Sequence, residues 1–225
     1  MFLRRRAKQA EYFDGADRTP EEIRAHYASL ERMNRLTRFE RPFRVWIPKL
    51  LGSDACNRLK ILDLGAGSGQ LGRVLSAWAA EQGWVWEFTN IDLCPVAARL
   101  DPSERHVVGS VTALPFSDGE FDVVVATTMT HHLPSEADVI AHFREAHRVS
   151  GRLVLLCDLH RNLPFLVLLW CVCVRDSRHF RADGVLSIRR GWRVPEWRGL
   201  ASRAGLDHAR VWLEHGTRVL LATTK

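Results

Sequence analysis

The chain has 225 residues, of which 46% are hydrophobic and 26% are charged, and its formal net charge is +6. This composition is typical of a globular protein and excludes a disordered or fibrous chain, and the length suits one domain with a small appendage. The excess positive charge is interpreted as solvated surface, and since no zinc finger, recognition helix or aromatic-basic RNA motif accompanies it, we expect no nucleic-acid partner.

No stretch of the sequence predicts a membrane span or a secretory signal. The longest apolar run, residues 163–174, is shorter than the roughly 20 residues that a spanning helix needs. The basic residues near the start are followed by no apolar stretch. The five cysteines are scattered and lack zinc-ligand spacing. We therefore expect a cytoplasmic protein with reduced thiols and no metal site.

Residues 1–58 are predicted to form an N-terminal helical segment. Thr19 and Pro20 begin a helix as N-cap and first helical residue, followed by acids and by apolar residues at helical spacing. A second helix is expected around Trp46, with Pro48 disturbing it. The segment packs on or over the main domain, and whether it acts as a lid or a dimer contact stays open, as does the oligomeric state.

Residues 59–225 alternate between strand and helix patterns, which predicts an α/β domain. The predicted strands are residues 60–64, 85–92, 106–109, 121–127, 151–158, 209–213 and 218–223. The predicted helices between them are residues 71–78, 95–101, 135–149 and 195–204. Such alternation indicates a doubly wound, mostly parallel sheet with helices on both faces. The last two strands are joined too tightly for a crossover helix, so they are expected to pair antiparallel.

Residues 159–194 interrupt this alternation after the fifth strand. An insertion there lies at the carboxyl ends of the strands, where open α/β sheets bind ligands, so we expect a cap. Its apolar run has three interpretations: a core helix, the wall of an apolar pocket, or, with Trp170 and nearby arginines, a contact with a membrane surface.

The most informative motif is the glycine turn DLGAGSG, which follows the first strand and begins a helix. The glycines alternate, so the spacing is not that of the dinucleotide fingerprint GxGxxG. Gly65 and Gly67 can adopt positive φ, and the free amides at the helix start suit a carboxylate. Asp63 can accept from a ligand ammonium, so the turn predicts an amino-acid-like group.

Two further positions extend this site along the sheet edge. Asp92 ends the second strand, where a carboxylate can bridge two ribose hydroxyls. Ser110 and Val111 follow the third strand and can meet an adenine ring. An amino acid, a ribose and an adenine together describe S-adenosylmethionine. The residues expected to bind it are Asp63, Gly65, Ala66, Gly67, Gly69, Asp92, Leu93, Ser110, Val111 and Thr127.

The segments DLGAGSG, NIDLCP, LPFSDGEFDVVVATTMTHHL and FREAHRVSGRLVLLCD, in this order, resemble the motifs of class I S-adenosylmethionine-dependent methyltransferases. The resemblance is strong over residues 60–158 and is closest to small-molecule methyltransferases of quinone and polyketide pathways. It implies a Rossmann-like sheet of seven strands with an antiparallel last strand. The sequence departs from the family at Ser110, where an acid is usual, and at Ser150-Gly151, which shortens a Pro-Gly-Gly turn.

Candidate catalytic residues follow the fourth and fifth strands. His131 and His132 lie after the fourth strand, and Asp158 and His160 alternate at the end of the fifth. A carboxylate that orients the His160 imidazole beside the acceptor would provide a general base. His179 and Asp183 in the cap are weaker candidates.

Together these features predict methyl transfer to oxygen or carbon of a small, apolar aromatic or polyketide-like acceptor in secondary metabolism. An RNA or protein methyltransferase is the alternative suggested by the charge, although residues 127–130 (TTMT) lack the motif of nucleobase-nitrogen enzymes. A non-catalytic cofactor-binding homologue is a third possibility.

Overall fold

The computed structural model describes the chain except for residues 1–2, 4, 15–17, 57, 101–104 and 173–176, and except for the side chains of residues 56, 98, 168 and 170–172. The strands are β1 (Arg58–Leu64), β2 (Val85–Asp92), β3 (His106–Val108), β4 (Phe121–Thr127), β5 (Ser150–Leu159), β6 (Arg210–Glu214) and β7 (Arg218–Thr224). The helices are α1 (Pro20–Thr37), α2 (Arg41–Leu51), α3 (Gln70–Glu81), α4 (Glu136–Val149), α5 (Leu163–Val172), α6 (Arg178–Arg190) and α7 (Val194–Arg203).

The seven strands form one sheet in the order β3-β2-β1-β4-β5-β7-β6. Strands β1 to β5 pair in parallel, whereas β7 pairs antiparallel with both β5 and β6. The predicted fold class and the antiparallel pairing of the last strands are therefore confirmed. The strand order reverses between β1 and β4, and in open α/β sheets the ligand crevice is expected at such a switch point, at the carboxyl ends of the strands.

Alternating side chains of the central strands supply two hydrophobic layers. Val123 and Val125 of β4 pack in one layer with residues of α2 and α3, and Val124 and Ala126 pack in the other with residues of α4 and α7. All of these β4 side chains are buried. A strand covered on both faces appears in the sequence as a continuous apolar run, which is why β4 was predictable.

The N-terminal helices form as their local signals indicate, with one difference. Thr19 and Glu22 make the reciprocal capping contacts of a capping box, and Pro20 occupies the first turn of α1. Helix α2 continues through Pro48 to Leu51. Pro48 does not end it because the buried side chains of Phe43 and Ile47 hold α2 against the sheet.

Two further regions bear on the predicted elements: the segment after β2 and the insertion after β5. The helix expected over residues 95–101 is reduced to a single 3₁₀ turn, Ala97–Arg99, within the residues described there. The apolar run forms α5, and the basic stretch after it forms α6; the end of the run and Arg175 lie outside the described residues. Across the described part of the chain, none of the helices is long and apolar enough to cross a membrane.

Candidate functional site

The glycine turn lies at the switch point, between β1 and α3. Gly65, Gly67 and Gly69 all have positive φ, at 65°, 55° and 75°. A Cβ on Gly65 would overlap with Cγ of Met129, so a side chain at this position would force Met129 to move. Asp63, at the end of β1, is only 1% exposed. The positive φ expected at Gly65 and Gly67 is therefore confirmed, and the structure adds the positive φ of Gly69 and the burial of Asp63.

Asp92 ends β2 beside the turn and holds it in place. One carboxylate oxygen accepts from the amide of Gly67 at 2.8 Å, and the other accepts from the amide of Cys94 at 2.8 Å. Each oxygen has a second lone pair, so the carboxylate can still accept from hydroxyl groups of a ligand. Leu93, the next residue, is 69% exposed beside this carboxylate.

The predicted adenine-side residues differ in their surroundings. Val111 is 6% exposed and its side chain belongs to the hydrophobic core, so it does not face the crevice as an open apolar surface. The Ser110 hydroxyl accepts from the Thr112 amide at 3.2 Å and lies 2.8 Å from the Thr112 hydroxyl. Thr127, at the end of β4, keeps a hydroxyl with no hydrogen-bond partner in the described part of the chain.

Helix α1 covers the glycine turn, a role that the sequence left open. Tyr27 lies so close that a Cβ on Gly67 would be 2.7 Å from its Cε1. Burial first, and then the nearby Asp92 and Cys94, raises the pKa of Tyr27 above its ordinary value, so the phenol is neutral. The signal available in the sequence was the spacing of Tyr27, Glu31 and Asn34, which places them on one helix face.

Polar contacts fasten α1 to the turn and to the start of α3. Ser68 donates from its hydroxyl to Glu31 at 2.6 Å, and Arg73 pairs with the same carboxylate at 2.8 Å. Asn34 donates to the side chain of Gln70 at 2.9 Å. These side chains join α1 to the glycine turn and to the first turn of α3, so the three segments form one unit.

A second group of polar side chains lies at the carboxyl ends of β4 and β5. His131, only 2% exposed, donates from Nδ1 to Asp158 at 2.7 Å, and its backbone amide donates to the other oxygen of Asp158 at 2.6 Å. Burial raises the pKa of Asp158, but attraction to His131 and the hydrogen bonds from His131 and Leu159 outweigh it, so the pKa lies below its ordinary value. Asp158 is therefore a buried carboxylate that orients an imidazole.

The orienting carboxylate was predicted, but its partner was not His160. The Asn162 oxygen accepts from the Phe165 amide, so its nitrogen is the atom that donates to His160 Nδ1, at 2.9 Å. This contact places the proton of a neutral His160 on Nε2. Burial first, and then Arg193 and Arg161, lowers the pKa of His160 below its ordinary value. The pairing of Asp158 with His160 was wrong because residues after β4 fill the space beside Asp158.

Residues 6–14, here called the N-terminal strap, cross this group. Arg6 donates to the carbonyl of His131 at 2.7 Å, and Asp14 accepts from Nδ1 of His132 at 2.8 Å. Glu11, also in the strap, is 8% exposed, with one oxygen 3.7 Å from Nε2 of His131. These contacts were not predictable from local sequence patterns because they join positions more than a hundred residues apart.

Helix α6 holds the strap from the other side. Arg190 pairs with Asp14 at 2.6 Å and donates to the carbonyl of His132 at 2.8 Å. Asp183 accepts from the backbone amides of Tyr12 and Phe13, and the His179 ring stacks on Tyr12. The two weaker candidates therefore hold the strap to α6, and the structure does not place them beside the glycine turn.

Comparison with known proteins identifies a family over the central part of the chain. Residues 62–155 match the family model described as "Methyltransferase domain". The tocopherol O-methyltransferase of Arabidopsis thaliana chloroplasts is 27% identical over 114 residues, which cover 46% of this chain and 31% of that protein. The chain thus spans about a third of the length of this curated relative.

Solved structures share the fold over nearly the whole chain. The plantazolicin methyltransferase BpumL, in complex with S-adenosylhomocysteine, has a TM-score of 0.71 at 12% identity, with 93% of this chain and 91% of that chain covered. A S-adenosylmethionine-dependent methyltransferase from Aquifex aeolicus has a TM-score of 0.58 at 16% identity, with 92% and 99% covered. At these identities the likeness is one of fold.

Proposed function

We propose that the chain transfers the methyl group of S-adenosylmethionine to oxygen or carbon of a small, apolar aromatic or polyketide-like acceptor, and the match of residues 62–155 to the methyltransferase family model supports this proposal. The observation that carries the proposal is the glycine turn between two strand-ending acids. Its donor and acceptor groups match the parts of the cofactor.

The described residues fit the cofactor by their chemistry. Asp63 would accept from the ammonium group. The amides of Ala66 and Gly67 already donate to Ile91 and Asp92, so the ligand carboxylate would lie toward the start of α3, where the helix carries partial positive charge. Asp92 would accept from the ribose hydroxyls, with Leu93 as an apolar contact for the nucleoside. Ser110 and Thr127 complete the proposed site at the ends of β3 and β4, and the buried Val111 would support it from the core. Asp63 and Asp92 supply the acceptors that this ligand requires. The amides at the start of α3 supply partial positive charge.

Methyl transfer requires mainly that the acceptor atom and the methyl group are aligned. S-adenosylmethionine, when bound, supplies a methyl group on a sulfonium centre, which is already a good leaving group. The chain must place the acceptor atom in line with that methyl group, and such positioning supplies much of the acceleration. The carboxyl ends of β4 and β5, beneath the N-terminal strap, are the proposed place for the acceptor.

Loss of the acceptor proton is assigned to the histidines after β4. Asp158 is a positioning residue for His131, whose Nε2 keeps a lone pair when the ring is neutral. His160 has its proton on Nε2, so it would donate to an acceptor oxygen and would not remove a proton. His131 and His132 would therefore assist proton loss.

The apolar character of the acceptor is supported by α5 and by the relatives. Helix α5 carries Leu163 and Val167, each more than half exposed, beside the buried Phe165. The matched proteins include enzymes named for tocopherol and plantazolicin and a methyltransferase domain of the citrinin polyketide synthase. We further propose a role in secondary metabolism and a cytoplasmic location, since Cys94 and Cys157 are free thiols.

Calorimetry on the full chain tests the proposal. We expect S-adenosylmethionine and S-adenosylhomocysteine to bind, and Asp92→Ala to weaken both at least tenfold, because hydrogen bonds to a charged acceptor contribute about 1.5–3 kcal/mol each. Asp118→Ala is the matched control, since this exposed acid pairs with Arg148 away from the crevice. Absence of binding to the wild type would refute the cofactor site. Binding without transfer to a panel of phenols, hydroquinones and polyketide-like enols would indicate a non-catalytic homologue.

A further inference from the structure

Three side chains that can bind a metal ion converge where the N-terminal strap crosses the end of β4. They are Glu11 of the strap and the adjacent His131 and His132. One carboxylate oxygen of Glu11 and one ring nitrogen of each histidine all lie within 4.8 Å of one another. Glu11 and His131 are buried and His132 is half-buried. The sequence predicted no such group because Glu11 is more than a hundred residues from the histidines.

Both histidines are oriented by a carboxylate on the opposite ring nitrogen. Nδ1 of His131 donates to Asp158 at 2.7 Å, and Nδ1 of His132 donates to Asp14 at 2.8 Å. A carboxylate can only accept, so it fixes the proton of a neutral ring on Nδ1 and leaves the Nε2 lone pair available. Histidines that bind metals almost always donate their other ring N–H to a carboxylate, a backbone carbonyl or water, and a carboxylate is the partner here in both cases.

The gap between Glu11 and His131 has the size of an ion. Nε2 of His131 has no hydrogen-bond partner in the described part of the chain, and Glu11 Oε1 lies 3.7 Å from it. That distance is too long for a hydrogen bond. It is shorter than about 4.2 Å, the separation of two ligands on opposite sides of an ion at about 2.1 Å. At 3.7 Å, an ion can lie about 2.1 Å from each atom, to one side of the line that joins them, without moving them apart.

The local charge also favours a cation. Three carboxylates, those of Glu11, Asp14 and Asp158, face two guanidinium groups, those of Arg6 and Arg190. Arg190 lies 2.6 Å from Asp14 but 3.5 Å from Glu11, so its main partner is Asp14. The other contact of Glu11 is the hydroxyl of Ser187, which donates to it at 2.8 Å. Arg190 therefore occupies Glu11 less than it occupies Asp14.

We propose that Glu11, His131 and His132 bind one divalent transition-metal cation of the Zn²⁺ class, with Asp158 and Asp14 orienting the two imidazoles. Two imidazoles and one carboxylate suit Zn²⁺ or Fe²⁺ better than Mg²⁺ or Ca²⁺, which prefer oxygen ligands. Three protein ligands leave a coordination position open. If the proposed function holds, an acceptor hydroxyl at that position loses its proton more easily.

Metal titration of the full chain, stripped with a chelator and without S-adenosylmethionine, tests this site. We expect Zn²⁺ to bind at one equivalent in calorimetry, Co²⁺ to give visible absorption bands, and Mg²⁺ to give neither. Glu11→Gln, which keeps the shape of the side chain, and His132→Ala should each weaken Zn²⁺ binding at least tenfold. Asp158→Asn should weaken Zn²⁺ binding about 10–100-fold, because the loss of a carboxylate that orients a metal-binding histidine typically has an effect of this size.

His208→Ala is the matched control, because this exposed histidine lies between α7 and β6 and should leave Zn²⁺ affinity unchanged. Circular dichroism and S-adenosylmethionine binding show whether each variant is folded. The site is refuted if the wild type binds no Zn²⁺ at one equivalent, or if folded Glu11→Gln and His132→Ala bind it as tightly as the wild type. If the wild type binds Zn²⁺ but not S-adenosylmethionine, the proposed function is refuted and the proposed metal site is still supported.

Discussion

Substitution of Gly67 by alanine tests how closely α1 covers the glycine turn. The backbone there has φ of 55°, and an added Cβ would lie 2.7 Å from Cε1 of Tyr27. The positive φ costs an alanine about 1–2 kcal/mol, because an L-residue is strained in the left-handed region. The added Cβ forces the Tyr27 ring to move. Gly67→Ala should therefore lose about 2–3 kcal/mol of unfolding free energy, at the typical scale of backbone strain plus overpacking.

Gly83 provides the matched control for this substitution. Its φ is 78°, and an added Cβ would meet no atom within 4 Å. Gly83→Ala therefore carries only the backbone cost of about 1–2 kcal/mol. The difference between the two variants isolates the contact with α1. Removing the ring in Gly67→Ala/Tyr27→Ala should relieve part of the cost, so the two changes should be non-additive by about 1 kcal/mol.

Urea unfolding followed by circular dichroism measures these free energies, and calorimetry with S-adenosylmethionine measures the effect on the site. We expect Gly67→Ala to weaken cofactor binding and Gly83→Ala to leave it unchanged, since Gly83 lies beyond the end of α3. Equal stability of the two variants, together with additivity in the cycle with Tyr27→Ala, would show that α1 does not press on the turn.

Two further predictions concern stability. His142 is fully buried, and burial lowers its pKa from 6.5 to about 4. Below pH 6.5 the unfolded chain therefore binds a proton at His142 that the folded chain does not bind. The contribution of this group to the free energy of unfolding is fully present above pH 6.5 and is lost as the pH falls toward 4. Urea unfolding at pH 7.5 and 5.0 should show a loss of about 2 kcal/mol from this group, a loss that His142→Phe removes. Glu31→Ala should lower the free energy of unfolding by about 1–2 kcal/mol, because it removes the contacts with Ser68 and Arg73. The exposed control Glu21→Ala should lower it by only about 0.3 kcal/mol. Equal losses for the two variants in urea unfolding would contradict this prediction.

The sheet was predictable because its central strands are buried on both faces. β2 and β4 begin and end where their apolar runs predict. The turn after β1 was predictable because closely spaced glycines between a strand and a helix need positive φ, and all three have it. These signals are local: each can be recognised within about ten residues of sequence, the typical length of one element with its turn.

The surroundings of the catalytic candidates were not predictable, because they depend on contacts between distant segments. Alternation along β5 correctly places Asp158 at the ligand edge, but it cannot say which imidazole reaches the carboxylate. That choice is made by the 3₁₀ turn Thr130–His132, whose own position depends on Arg6 and Arg190 bonding to its carbonyls. No local pattern in the sequence encodes a partner that comes from a strap at the other end of the chain.

The two N-terminal helices are attached to the domain by different forces, and this difference decides how the crevice can open. Helix α2 buries Phe43 and Ile47 completely in the core, whereas the only side chain of α1 that is buried is Met33. The remaining contacts of α1 with the glycine turn are largely polar, and water can replace them. Separation of α1 therefore exposes far less apolar surface than separation of α2, and it costs correspondingly less free energy. The two helices meet at Arg38, which has φ of 49°. Opening about this junction would release the turn while α2 and the sheet stay intact.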